Sequence, residues 1–238
     1  MEKIFLEIGI EKEFFLLRKG DSPNLYDQIV EPREYEFPAD AFGFLVELRS
    51  EPWMHLNTVK MTWDMTKSYW EHRADKFGME LADMPYLVVP KEKVKYFYDK
   101  YEADASEDAT KNIYDNKGSH HLGMFFNDET CRLTAGMHVH FSMRDKSGRV
   151  IPFASEKIYE IVKTMDDAFQ TEITAADRIA GEYEIKRHGF EYRSLPCNVA
   201  VYETLKTAFH VLRRVCGDSE NLCTKTSNLY PERKLDHE

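Results

Sequence analysis

The chain has 238 residues, 42% hydrophobic, 31% charged and 13% aromatic, with a formal net charge of −10. That aromatic and apolar content argues against disorder and allows a sizeable core, while the acidic balance argues against a nucleic-acid binder, whose footprint is a basic patch. No apolar run is long enough to cross a bilayer, and the opening MEKIFLEIGIEKEF interleaves charges with apolar residues, so neither a membrane span nor a signal peptide is expected and the expected compartment is the cytoplasm.

Residues 3–17 alternate with period two. Ile4, Leu6, Ile8, Ile10, Phe14 and Leu16 fall on one face, and Glu7, Gly9, Glu11, Glu13 and Phe15 on the other, which predicts a strand. Gly20, Pro23, Pro32 and Pro38 break 18–40 into loop and short pieces. A second strand is expected over 43–49. Leu56, Val59, Trp63, Trp70, Ala74 and Phe77 recur at helical spacing and predict a helix over 56–77, stopped by Gly78. Residues 85–90 suit a short strand. The polar stretch 91–130, with Asp104, Glu107, Asp108, His120 and His121, reads as an insertion or lid.

Further on, 134–143 has a clear strand pattern and 145–149 that of a turn. One long helix is expected over 155–176, capped by Ser155 and striped by Ile158, Ile161, Val162, Met165 and Phe169. A strand over 183–195 and a helix over 201–216 ending at Gly217 follow. Residues 1–217 read as one domain and 218–238 as a polar tail. Strands and helices mix without βαβ alternation, so the expected class is α+β. Cys131, Cys197, Cys216 and Cys223 form no CxxC pair and match no zinc-ribbon spacing, and are expected to be reduced structural thiols.

Four segments place acids or histidines on a strand face. In GIEKEF, Glu11 and Glu13 point the same way. Like charges so close invite a cation, and Mg²⁺ prefers carboxylate oxygens; the same spacing also suits an ordinary solvated face. In DAFGFLVELR, Asp40 and Glu47 flank an apolar run, and an unpaired Glu47 there would be costly. A salt bridge to Arg49 or another arginine is the alternative. GMHVHFS sets His138 and His140 on one face, as in metal sites and in plain structural strands. HGFEYRSLP sets Glu191 and Arg193 together, with Arg187 on the same face by parity and Arg178 in the preceding segment; arginine can grip a phosphate or carboxylate with paired hydrogen bonds, or simply pair across strands.

The order E-x-E, D-x6-E, GMHxHxS and GxEYRxL resembles the superfamily of glutamine synthetases and glutamate–cysteine ligases. More closely, residues 4 to 215 resemble the compact COOH·NH2 ligase type 2 family of phages and bacteria. The resemblance implies a glutamine-synthetase-like α+β fold: a curved, mostly antiparallel sheet with helices on its outer face and the active site on the concave one. It implies an ATP- and Mg²⁺-dependent ligase, with Mn²⁺ as a substitute ion, joining a small-molecule or peptide carboxylate to an amine through an acyl phosphate. It further implies that Glu13 and Glu47, helped by Asp40, hold one Mg²⁺, and that Glu11, His138 and Glu191 hold a second. Arg193 would meet the transferred phosphoryl group, Arg187 the nucleotide phosphates, and His140 and Ser142 the nucleotide or only their strand. Glu13, Glu47 and Arg193 are then the catalytic candidates. No nucleic-acid or membrane partner is implied; an oligomer is compatible, and a phage-encoded chain would work in the host cytoplasm. Competing readings are a guanidino-kinase-like phosphotransferase, a metal- or nucleotide-binding module without turnover, and a cupin-like metalloenzyme using His138 and His140.

Overall fold

The alternation read from residues 3–17 becomes β1 (Phe5–Arg18), the strand on which the rest of the sheet is assembled. The computed structural model describes residues 4–20, 22, 24–40, 44–90, 124–126 and 129–217. After β1 come two 3-10 turns (Leu25–Asp27 and Pro32–Tyr35), β2 (Leu45–Arg49), α1 (Leu56–Lys76), β3 (Met79–Ala82) and β4 (Tyr86–Pro90). Then follow β5 (Met124–Phe126), β6 (Thr130–Thr134), β7 (Gly136–Arg144), α2 (Ser155–Ala168), α3 (Gln170–Ala175), β8 (Tyr183–Lys186), β9 (Gly189–Pro196) and α4 (Val201–Cys216). The main sheet runs β2-β1-β7-β9-β8 with β3 also on β1, and a second sheet runs β4-β6-β5. Every ladder between these strands is antiparallel. The class is therefore α+β, as expected, with a mostly antiparallel sheet and four helices among the described residues.

One face of the main sheet is apolar. Ile8, Ile10, Phe14 and Leu16 of β1, Val139 and Phe141 of β7, and Phe190 and Tyr192 of β9 are all fully buried. They pack on Val59 and Trp63 of α1, Ile161, Val162 and Met165 of α2, and Leu205, Ala208 and Leu212 of α4. Each large side chain so buried contributes about 1.5–3 kcal/mol. The helices thus cover one face, and the polar residues of the alternating strands must turn to the other. A smaller core forms there toward the end of β1, where Phe15 and Leu17 meet Leu45, Leu87, Val89, Leu133 and Cys197. Lys12 breaks the alternation: it pairs in register with Leu48 and Met137, yet is buried, and its Nζ donates to Asp83 Oδ2 at 2.7 Å.

Several expectations need correcting. The single helix 155–176 is two helices, because the backbone leaves the helical region at Phe169 (φ −121°, ψ 21°). Asp166 explains where it stops: its Oδ1 accepts from the Tyr192 hydroxyl at 2.7 Å and its Oδ2 from Gly181 N–H at 2.8 Å, tying the helix end to the sheet. The N-cap is Ala154 rather than Ser155, since Ala154 is the last extended residue (ψ 145°), and no side chain caps it. The strand expected over 183–195 is a hairpin turning at Arg187–His188. Gly189 is required there: its φ is +146°, and a Cβ would lie 2.0 Å from the Phe141 carbonyl oxygen. The strand over 134–143 is shared between the end of β6 and β7, β5 and the start of β6 lie in the stretch taken as an insertion, and β3 was not anticipated. The Phe77 end of the α1 stripe is 48% exposed. The readings placed on residues 91–123 and 218–238 lie outside the described residues. Cys197 is a free buried thiol and Cys216 a free half-buried one.

Candidate functional site

The strand order β2-β1-β7-β9 sets the four motif segments side by side. Glu13 of β1 lies opposite Glu47 of β2, Glu11 is flanked by Arg49 and His138, and His140 lies opposite Glu191. All stand on the face away from the helices. A bulge makes the last junction work: Met137 pairs with Leu195 but Val139 with Tyr192, so β9 places Arg193 and Ser194 against the single residue His138. Bulges of this kind re-aim side chains. Here the bulge lets Tyr192 and Leu195 both enter the core, while Glu191 and Arg193 stay in the polar cluster.

His138 is at the centre of that cluster. Its Nδ1 lies 2.9 Å from Glu11 Oε1 and 2.9 Å from Glu191 Oε1. Arg49 Nε meets Glu11 Oε2 at 2.7 Å, and Arg49 also pairs with Glu47. Lys186 Nζ reaches Glu184 Oε1 at 2.8 Å and Glu191 Oε2 at 3.1 Å, and Arg193 pairs with Glu191. Glu13 Oε2 accepts the backbone N–H of Gly136 at 2.5 Å. A larger residue at 136 would crowd the cluster, since a Cβ there would lie 3.0 Å from both Arg178 Nη2 and His138 Nε2. Arg178 in turn donates to the carbonyl oxygens of Ser194 and Arg193 at 3.2 and 2.7 Å, bracing the bulge.

The electrostatics follow from crowding acids in a half-dry place. Burial pushes the Glu47 carboxyl up to about 8, with Glu11 adding to it. Burial opposes ionisation of Glu11 and Glu191 too, but hydrogen bonds from His138 and His140 hold Glu11 well below the usual carboxylate range. The Arg193 charge and His138 do the same for Glu191. Burial and Arg193 disfavour protonated His138, yet Glu191, Glu11 and Glu13 outweigh them and raise it to about 9. These carboxylates want cations.

Of the ten site residues expected from sequence, Glu11, Glu13, Glu47, His138, His140, Glu191 and Arg193 are brought together. Asp40 is partly separate. Its Oδ1 accepts Leu45 N–H at 3.0 Å at the start of β2, while burial, with the Glu13 charge nearby, pushes it up to about 7. Ser142 stands on β7 opposite Glu7, buried, with an unpaired hydroxyl among the described residues. Arg187 is not on the strand face. It is an exposed turn residue, and the parity assigned to it fails because the strand reverses there. Sequence reasoning missed Lys186, Glu184 and His188. Their signal was the Arg187–His188 turn before Gly189, which folds the YEIK alternation back onto Glu191.

Glu11, His140 and Glu191 each offer a ligand atom, and those atoms lie within 4.8 Å of one another. The donor set fits a divalent cation. Arg193 Nε is buried with no acceptor among the described residues. A separate cavity of about 450 Å³, lined by Leu56, Lys206, Phe209, His210, Arg213 and Arg214, opens between α1 and α4, away from this cluster. No described helix is long and apolar enough to cross a membrane. No family model matches the chain, and no curated protein matches it.

Proposed function

We propose that the chain is an ATP-dependent carboxylate–amine ligase on a glutamine-synthetase-like domain. The observation that carries this reading is the convergence of four distant motif segments on one sheet face, opposite the helices, in the order β2-β1-β7-β9. Glu13 and Glu47, with Asp40 near, would hold one divalent ion, and Glu11 and Glu191 with an imidazole the other. Mg²⁺ or Mn²⁺, when bound, would neutralise phosphate charge and polarise the phosphoryl group.

A carboxylate is a poor acyl donor because its oxygen leaves badly. Transfer of the ATP γ-phosphoryl group to that oxygen gives an acyl phosphate and ADP. The amine then attacks the carbonyl carbon, loses a proton, and expels phosphate. Such chemistry needs positioning and charge neutralisation more than covalent help from the protein. Arg193, whose side chain is 18% exposed, would meet the phosphoryl oxygens, and the surrounding carboxylates keep its charge fixed.

Calorimetric titration with a non-hydrolysable ATP analogue, with and without Mg²⁺, tests this reading. Mg²⁺-dependent binding, followed by ADP release in a screen of acid and amine pairs, is the expected result. Absence of binding in both conditions would overturn it. One observation favours a second reading: Arg49, Lys186 and Arg193 already neutralise the acids internally, as in a metal- or nucleotide-binding module without turnover. Binding with no ADP release from any pair would select that module.

A further inference from the structure

We propose that His188 is a positioning residue that fixes His140 as the nitrogen ligand of a divalent cation held by Glu11 and Glu191, and that this site takes Mn²⁺ in preference to Mg²⁺. The inference rests on reading the carboxylate face as a metal site and names which imidazole serves it. The resemblance to ligases points to His138, but the geometry points to its neighbour. His138 Nδ1 is engaged by Glu11 Oε1 and Glu191 Oε1 together, at 2.9 Å each, and its Nε2 faces the tight gap beside Gly136 and Arg178. His138 therefore orients the two carboxylates.

His140 is placed differently. It lies opposite Glu191 in register, and its Nε2 is 3.4 Å from Glu11 Oε2, on the side where the ligand atoms gather. Its other nitrogen, Nδ1, is 3.1 Å from His188 Nε2. One proton can occupy that N···N contact. With a cation in place of the Nε2 proton that faces Glu11 in the metal-free chain, His140 Nδ1–H donates to His188 Nε2 and the bare His140 Nε2 lone pair faces Glu11 and Glu191, which is the form that ligates a metal. His188 reaches this position because Gly189 lets the β8–β9 turn press against β7. An acceptor behind a ligating imidazole both fixes its tautomer and raises its basicity. Two carboxylates with one imidazole suit a first-row transition ion better than Mg²⁺, which prefers an all-oxygen shell.

Pulsed EPR of Mn²⁺ on the full chain tests the proposal. The wild-type chain is expected to bind Mn²⁺ with an imidazole nitrogen coupling and to resist displacement by equimolar Mg²⁺. His140→Gln should abolish that coupling. His188→Leu should weaken Mn²⁺ binding about 10–100-fold, and His188→Gln, whose side-chain carbonyl can accept the same N–H, should restore it, with circular dichroism verifying each fold. Nitrogen coupling that survives His140→Gln would overturn the assignment. So would wild-type affinity in His188→Leu, failure of His188→Gln to restore binding, or displacement by Mg²⁺. The readout does not involve ATP: a chain that binds Mn²⁺ as expected but turns over no nucleotide upholds this inference and defeats the ligase reading.

Discussion

Glu13 is the residue on which the ligase reading is most exposed. Its carboxylate faces Glu47 across the β1–β2 ladder and accepts one backbone N–H from Gly136. Glu13→Gln keeps an oxygen for that N–H, so the fold should survive, while a negative charge for metal is lost. ATP turnover is expected to fall by about 10²–10³ with an unchanged circular dichroism spectrum; full turnover in a folded variant would remove Glu13 from the site. The neighbouring groups set a pH dependence for the metal-free chain. Asp40, Glu47 and His138 are raised to about 7, 8 and 9, so each holds its proton more tightly when folded. Stability from such groups is complete below their unfolded values and is lost as pH climbs through the folded ones. Glu11 and Glu191 are lowered and act only in acid, with the opposite sign. The melting temperature of the EDTA-treated chain should therefore fall as pH rises from about 4.5 to about 9, and divalent cation should recover it most at the upper end. Scanning calorimetry across that range checks this, and a flat profile would refute the assigned shifts.

At the scale of elements, the β8–β9 hairpin carries the most consequence. Gly189→Ala puts a Cβ into the backbone of β7 at a positive φ. It should cost at least about 1–3 kcal/mol from the strained φ alone and separate His188 from His140, visible as lost Mn²⁺ affinity in whatever fraction stays folded. Asp166→Ala strands the Tyr192 hydroxyl and the Gly181 N–H in a buried place. At about 1–3 kcal/mol for each unpaired group, urea denaturation should show a clear drop in midpoint, and little change there would mean that water replaces the carboxylate.

The same elements show what a sequence can and cannot carry. The face shared by Glu11 and Glu13, and by His138 and His140, was legible because strand alternation is local. The ion pair of Glu47 with Arg49 was open as an alternative, because both residues sit on one short strand. His188, Lys186 and Glu184 were not found, because a hairpin hidden inside an apparently continuous strand reverses the chain and resets parity. The bulge at Arg193–Ser194 was invisible for a related reason: it is defined by pairing with β7, not by its own residues. α2 stops at Phe169 because Asp166 is tied to Tyr192 and Gly181, a contact that helical periodicity does not encode.

At the scale of the whole molecule, the net charge of −10 and the clustered acids make cation binding a stability term. A ligand bound only by the folded state stabilises it by about 2.7 kcal/mol at a hundred times its dissociation constant. The melting temperature should climb with Mn²⁺ concentration in the wild-type chain and much less in Glu191→Gln. An equal rise in both would place the ion elsewhere.

β1 has a consequence in time. It comes first in chain order, yet it sits inside the sheet, and its Glu11 meets His138 across 127 positions of sequence. A ribosome releases the two halves of that contact many seconds apart, since synthesis proceeds at about 5–20 residues per second. Until β7 and β9 emerge, β1 must wait with the edge that takes β7 unpaired. Long-range pairing of this sort folds slowly and invites holding by chaperones. Pulse-labelled hydrogen exchange should find the amides of β1 and β9 becoming protected in one late step; early protection of β1 alone would show that it finds another partner first.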